Sequence, residues 1–281
     1  MQTVSYSTID ANCRMSPTQD LMPGIPLSDG KYWGIDVDVR DSEILVSGYH
    51  RDVFSGGSLE DVTDIFLLYS EAPVSSSDWT LNPSIIHDID ADPAQECPLS
   101  VEFGHEQAHI LYQTVRNDTT GKDRLGVWYS HGEIDQETWA YRKAVGDEGL
   151  LPTMKVIVDD EEDRLVSLWR EGDPQDSELV VYVTDSAFRS EEGMETRVSA
   201  RGLSSIDLVE TERGIQVFFD RVGPNGPQVE YGLIDLEKGW VGLSNSIVQG
   251  QFNSIDRSEE TQETMIVVSS SEGWEIRALI D

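Results

Sequence analysis

The chain has 281 residues, of which 38% are hydrophobic, so it can bury a sizeable core. Its 53 Asp and Glu residues outnumber 20 Lys and Arg, and the formal net charge of −33 argues against nucleic acid as a partner, because phosphate binding needs a basic surface. No apolar run approaches the ~20 residues that span a bilayer, which predicts no membrane insertion. The polar N-terminus, Met1–Arg14, lacks the pattern of a signal peptide.

Short segments rich in β-branched and aromatic residues recur along the chain in groups of four. The first group has strands at 32–39, 43–50 and 64–72, and its fourth strand begins at Trp79. The groups cover about 30–90, 97–147, 152–201, 203–249 and 252–281. A repeat of about 40 to 60 residues is typical of β-propellers, so the sequence predicts one all-β domain over 1–281, with five blades of four antiparallel strands each.

The last group is one strand short. Its strands are predicted at 253–260, 263–271 and 273–281, and the third of them reaches residue 281. Thr3–Ile9 alternates in the manner of a strand and belongs to no other group. We therefore expect this N-terminal strand to complete the last blade, which would leave no open sheet edge between the first and last blades.

Three short segments carry a resemblance to a known family. Ile110-Leu111-Tyr112, Trp128-Tyr129-Ser130 and Thr138-Trp139 resemble blades of sialidase-type (BNR or Asp-box) propellers and of five-bladed furanosidase-type glycoside hydrolases. The Ser, Asp and Gly positions of an Asp-box are here occupied by Gly132, Ile134 and Gln136. The box is degenerate, so the resemblance implies the propeller fold and a non-catalytic protein.

Four of the five predicted first strands carry an acid at the same position. These acids are Asp36, Glu102, Asp207 and Asp256, and the third group has Ile157 there. Because first strands line the tunnel of a propeller, the four carboxylates are candidate ligand-binding residues. They are also candidate ligands for a Ca²⁺, Na⁺ or K⁺ ion, although the pattern requires no cofactor. If the protein is an enzyme, Asp36, Glu102 and Asp207 are the candidate acid and base of a glycosidase. Solvated tunnel residues are the third interpretation.

The charged residues also suggest that the protein is adapted to high salt. Only five of the 20 basic residues are Lys, and an acid-rich, Lys-poor composition is typical of proteins adapted to high salt, where screening removes the repulsion between carboxylates. Cys13 and Cys97 are compatible with a disulfide or with two free thiols.

From these features we expect a non-enzymatic recognition or assembly module of a halophilic system that binds a glycan or a protein. Virion proteins are candidate partners, and a virion surface, tail or capsid-attached adhesin is one form of this hypothesis. The alternative is a five-bladed glycoside hydrolase acting on a polysaccharide, and a second alternative is a cytoplasmic propeller scaffold. The expected location is a virion or the cytoplasm of a halophile. The long loops at 51–63 and 116–123 are the candidate recognition loops.

Overall fold

The computed structural model describes most of the chain. The described residues are 5–6, 19–20, 31–51, 63–71, 79–89, 98–105, 107–117, 123–139, 141–146, 148–158, 163–173, 175–185, 193–212, 214–243, 248–257, 264–270 and 273–279. All elements in these ranges are β-strands, which confirms the predicted all-β class. Within them, no helical segment is long and apolar enough to cross a bilayer.

The strands form a small N-terminal ladder followed by five successive antiparallel sheets, in the manner of β-propeller blades. The N-terminal ladder pairs β1 (Ser5–Tyr6) with β2 (Gln19–Asp20). The first sheet contains β3 (Lys31–Arg40), β4 (Glu43–Arg51), β5 (Thr63–Ser70) and β6 (Thr80–Ile89). The second contains β7 (Leu99–Phe103), β8 (Ala108–Asn117), β9 (Asp123–Gly132) and β10 (Tyr141–Gly146). The third contains β11 (Leu150–Ile157), β12 (Arg164–Glu171), β13 (Glu178–Asp185) and β14 (Met194–Ser199).

Within the described residues, the fourth sheet has five strands and the fifth has three. The fourth contains β15 (Ile206–Thr211), β16 (Gly214–Gly223), β17 (Gly226–Asp235) and β18 (Gly239–Leu243), and a short strand, β19 (Val248–Gln249), also pairs with β17. The fifth contains β20 (Gln251–Arg257), β21 (Thr264–Ser270) and β22 (Gly273–Leu279). The five sheets follow the order of the five predicted groups.

The predicted closing strand lies mostly outside the described residues. Of Thr3–Ile9, only Ser5 and Tyr6 are described, and they pair with Asp20 and Gln19. The fifth sheet has three strands in the described part of the chain. Completion of this sheet by Thr3–Ile9 therefore stays a prediction.

The first strand of the third sheet begins earlier than predicted. The third predicted group begins at residue 152, but β11 covers Leu150–Ile157. Pro152 interrupts the sequence pattern because proline cannot donate to a ladder, yet proline is tolerated on an edge strand. The structure places β11 at the edge of its sheet and shifts its register between Leu150 and Thr153, where Leu151 has φ of 56°.

The chain divides into two compact units. The first comprises residues 1–124 and 128–144, and the second comprises 125–127 and 145–281. The single domain over 1–281 remains a prediction.

In the first unit, the first and second sheets pack face to face. Their shared core contains Leu45, Tyr49, Ile65, Leu67, Ile85, Ile86, Ile89, Leu99, Val101, Phe103, Ala108, Ile110, Tyr112 and Trp139. The Tyr49 hydroxyl of β4 donates to the carbonyl of Gln113 on β8 over 2.7 Å. A buried aliphatic core reinforced by a satisfied polar bond holds the two sheets in fixed positions.

In the second unit, apolar cores join the third sheet to the fourth and the fourth to the fifth. The first of these contains Val166, Leu168, Leu179, Val181, Val183, Ala200, Leu203, Ile215, Val217, Phe219 and Ile234. The other contains Phe218, Val229, Phe252, Ile266 and Val268. Alternation along β16 explains this arrangement, because Val217 and Phe219 face one neighbouring sheet while Phe218 faces the other.

Candidate functional site

Each of the four sequence-predicted acids lies on the first strand of its sheet, as the alignment of the repeats predicts. Asp36 is on β3, Glu102 on β7, Asp207 on β15 and Asp256 on β20. Asp36, Glu102 and Asp207 are half-buried. The side chain of Asp256 lies outside the described part of the structure.

Two acids of β3 connect the first two sheets. The Oδ2 atom of Asp36 accepts the backbone N–H of Val101 over 2.9 Å, and Oδ2 of Asp38 accepts that of Phe103 over 2.8 Å. Both donors are on β7, next to Glu102. Charge-assisted bonds of this kind satisfy edge-strand N–H groups, so these carboxylates contribute to sheet packing.

In the second unit, the carboxylate of Asp207 bonds to a neighbour in its own strand. Oδ1 of Asp207 accepts the backbone N–H of the next residue, Leu208, over 2.8 Å. Among the described residues, no three His, Cys, Asp or Glu side chains form a group that could hold a metal ion. The cation site at Asp36, Glu102, Asp207 and Asp256 stays a prediction, as does catalysis by Asp36, Glu102 and Asp207.

A cavity of about 430 Å³ lies at one end of the first two sheets. We call it the Tyr69 cavity; its lining residues are Tyr69, Thr80, Gln107, Glu133, Ile134 and Asp135. They come from the end of β5, the start of β6, the β7–β8 turn and the loop that follows β9. The volume falls within the ~300–1,000 Å³ of typical small-molecule pockets.

The loop 133–138 is held in place by hydrogen bonds to β6 and to itself. The backbone N–H of Trp139 donates to the carbonyl of Ile85 over 2.8 Å, and the side-chain amide of Asn82 donates to the carbonyl of Gln136 over 2.7 Å. The Trp139 indole N–H donates to the Glu133 carbonyl over 3.1 Å. The carboxylates of Glu133 and Asp135 are therefore presented by a fixed loop.

One wall of the cavity rests on a charged network. The Tyr69 hydroxyl donates to Oε1 of Glu43 over 2.6 Å, and the Arg40 guanidinium donates to Oε2 of Glu43 over 2.9 and 3.1 Å. Arg40 also donates to the carbonyl of Gly104 over 2.6 Å and lies 4.6 Å above the ring of Phe103. Glu43, itself held by Arg40, thus fixes the position of the Tyr69 hydroxyl.

These contacts shift two pKa values in opposite directions. The hydrogen bond from Tyr69, helped by Arg40, lowers the pKa of Glu43 below its ordinary value despite partial burial. Burial, followed by the bond to Glu43, raises the pKa of Tyr69. Glu43 is therefore an anion and Tyr69 a neutral phenol at neutral pH.

The other wall contains a hydrogen-bonded aromatic ladder. Oε1 of Gln107 lies 2.6 Å from Nδ1 of His131, whose ring stacks 5.7 Å from that of Tyr129. The Tyr129 hydroxyl lies 2.7 Å from Nδ1 of the fully buried His109. With the amide oxygen of Gln107 facing Nδ1 of His131, His131 is the donor, because an amide oxygen only accepts.

We expect the substitution Tyr69→Phe to raise the pKa of Glu43, because it removes the bond that contributes most to lowering it. The carboxyl resonance of Glu43 can be followed by NMR during an acid titration. Because the pKa of Glu43 is lower in the folded than in the unfolded protein, its ionised carboxylate stabilises the fold at pH values above the unfolded-state pKa. This contribution is lost as the pH falls through the folded-state pKa. The variant should therefore lose less stability on acidification. Tyr182→Phe, on β13, is the control; an unchanged Glu43 titration in Tyr69→Phe would contradict the assignment.

Sequence reasoning did not find the cavity. It considered Gly132, Ile134 and Gln136 only as degenerate Asp-box positions, whereas the cavity is lined by the alternate residues Glu133 and Asp135 together with Ile134. The candidate recognition loops at 51–63 and 116–123 lie mostly outside the described residues. Among the tryptophans, Trp139 and Trp169 are 1% exposed, whereas Trp274 is 72% exposed.

No protein-family model matches the sequence, and no curated protein matches it either. Solved structures similar to this chain include a mannose phosphorylase from Leishmania mexicana, with 8% identity, TM-score 0.47 and coverage of 92% of this chain and 86% of that one. The NanB sialidase from Streptococcus pneumoniae has 10% identity, TM-score 0.48 and coverage of 88% and 60%. The GH32 β-fructofuranosidase of Bombyx mori has 11% identity, TM-score 0.48 and coverage of 84% and 54%. At these identities and TM-scores, the similarity carries no argument about what this chain does.

Proposed function

We propose that the protein recognises a glycan through the Tyr69 cavity. The observation that supports this proposal is the lining itself: an aromatic ring, an aliphatic side chain, an amide, a hydroxyl and two carboxylates around about 430 Å³. A sugar ring has C–H groups on its faces and hydroxyls around its rim. It therefore suits a pocket that combines apolar surface with several groups able to exchange hydrogen bonds.

The rigidity of the walls favours binding. Tyr69 is held by Glu43, Gln107 by His131, and the loop 133–138 by Ile85 and Asn82. Because these groups are already ordered, a ligand loses less free energy to immobilising side chains than it would on a flexible surface. This part of the proposal concerns recognition only.

Glycan-array screening followed by calorimetry tests the proposal, and both are best performed at molar salt because of the net charge. We expect Gln107→Ala and Tyr69→Ala to weaken binding of the best glycan by about tenfold each, whereas Gln175→Ala and Tyr182→Ala leave it unchanged. Gln175 lies in the β12–β13 turn and Tyr182 on β13, both outside the cavity. Absence of binding to every glycan, or equal losses in all four variants, would refute the proposal.

Glycoside hydrolysis is a second candidate, favoured by the two carboxylates, Glu133 and Asp135, that line the same cavity. Glycosidases use one carboxyl group as acid and another as base or nucleophile. Hydrolysis would be supported if the protein releases reducing ends from a glycan that it binds, and if both Glu133→Gln and Asp135→Asn abolish this release. Under recognition alone, no ends are released at any enzyme concentration. The halophilic, virion and assembly parts of the hypothesis stay predictions.

A further inference from the structure

We propose that the Tyr69 cavity selects glycans that carry free amino groups and rejects anionic glycans and phosphate. This inference rests on the proposed function, because it names the class of glycan that the same cavity would bind. The charges of the lining residues and the directions of their hydrogen bonds both support it.

The charge around the cavity is negative. Glu133 and Asp135 line it, and Glu43 lies directly behind the Tyr69 hydroxyl, 2.6 Å from it. None of the six lining residues is Lys, Arg or His. A carboxylate or phosphate on the ligand would lose its hydration beside these acids without gaining a counter-charge.

Arg40, which lies behind the Tyr69 wall, is already engaged in other contacts. Arg40 donates to Oε2 of Glu43 through two nitrogens and to the carbonyl of Gly104 through the third, and it packs on Phe103. Moving it toward an anionic ligand would break these bonds and leave the Glu43 carboxylate without its counter-ion. Arg40 therefore does not supply the cation that anion recognition needs.

The hydrogen-bonding groups of the lining offer more acceptors than donors. The Tyr69 hydroxyl proton is used on Glu43, so its oxygen remains as an acceptor, and the carboxylates of Glu133 and Asp135 are acceptors only. Oε1 of Gln107 is used by His131, which leaves its –NH₂ group as a donor. Thr80 can act either way.

A ligand that complements this lining must donate more hydrogen bonds than it accepts. An ammonium group donates three and accepts none, and it also carries the charge that the acids lack. N-acetylation removes both the positive charge and the excess of donors at that position. A sugar with a free amine, in a ring rich in hydroxyls, matches the cavity best.

The test compares three oligosaccharide probes by calorimetry: tetramers of glucosamine, of N-acetylglucosamine and of galacturonate. At about 0.5 M NaCl, where the Debye length is only about 4 Å, we expect the glucosamine tetramer to bind at least about tenfold tighter than its N-acetylated form. The galacturonate tetramer is expected to show no binding. A tetralysine peptide, which has the charge without the sugar ring, should bind at least about tenfold more weakly than the glucosamine tetramer.

Matched variants separate the cavity from the general negative charge. Glu133→Gln with Asp135→Asn should abolish the preference for the free amine, because it removes both charged acceptors of the lining. Glu212→Gln with Asp173→Asn makes the same charge change at two exposed sites in the other unit, and should retain the preference.

The possible outcomes distinguish failure of the amine selectivity from failure of glycan recognition itself. Binding of galacturonate as tight as that of glucosamine would overturn the selectivity but leave glycan recognition intact. Equal loss of preference in both double variants would assign it to net charge and overturn the inference. No binding of any of the three tetramers, or of any arrayed glycan, would overturn the proposed function and the inference together.

Discussion

Raising NaCl from about 0.1 M to about 2 M is expected to increase the melting temperature by about 10 °C, which corresponds to about 6 kcal/mol for a chain of this size. The reason is the net charge of −33, whose self-repulsion disfavours the compact state in dilute buffer. The Debye length falls from ~10 Å at 0.1 M to ~3 Å at 1 M, so neighbouring carboxylates cease to repel. Thermal unfolding followed by circular dichroism measures the shift.

The same salt also weakens favourable ion pairs, but this loss is smaller. Arg197 contacts Glu171, Glu178 and Glu195 over 2.6, 3.4 and 2.8 Å, at an exposed site. Exposed pairs contribute only about 0.2–1 kcal/mol each, so their screening does not cancel the gain. The excess of acids decides the direction of the effect.

The control for the salt effect is the identity of the salt. If screening is the cause, KCl and NaCl should produce the same rise at equal ionic strength, and most of it should appear below about 1 M. A rise found only with strongly excluded solutes such as sulfate would indicate surface exclusion instead. A melting temperature that stays constant or falls in NaCl would contradict the screening argument.

Trp139→Ala is expected to lower the free energy of unfolding by about 3–5 kcal/mol, the usual cost of truncating a buried tryptophan. Trp139 is 1% exposed and belongs to the core that the first two sheets share. Its ring packs on Gly132, where a Cβ atom would come within 2.6 Å of the ring Cγ and Nε1 atoms. Its removal also frees the loop 133–138, so glycan affinity should fall with stability. Urea-induced unfolding measures the change in stability.

Trp274→Ala is the matched control, because Trp274 is 72% exposed and its truncation should change stability by less than about 0.5 kcal/mol. If Trp139→Ala does not accumulate as a folded protein, Gly132→Ala tests the same contact from the other side by displacing the ring. Equal stability losses for the two tryptophans, or a neutral Gly132→Ala, would show that Trp139 does not anchor the two sheets.

The alternation of apolar residues and the turn chemistry by themselves determined most of the strands. β4, for example, is predicted at 43–50 and covers Glu43–Arg51, after a turn at Asp41-Ser42 in which Asp41 has φ of 54°. Both signals are local, since side chains alternate every second residue and a two-residue turn depends on its own residues. The position of the four acids on first strands follows from the same local pattern.

Only the tertiary structure decided what those residues do. Asp36 bonds the N–H of Val101, 65 residues away, and nothing in either segment indicates the other. The Tyr69 cavity likewise combines residues from 69 to 135 on two sheets, each in an ordinary local sequence. Local patterns determine strands because strand formation depends on neighbouring residues, whereas a cavity depends on how separate sheets pack, which arises only when the distant cores have formed.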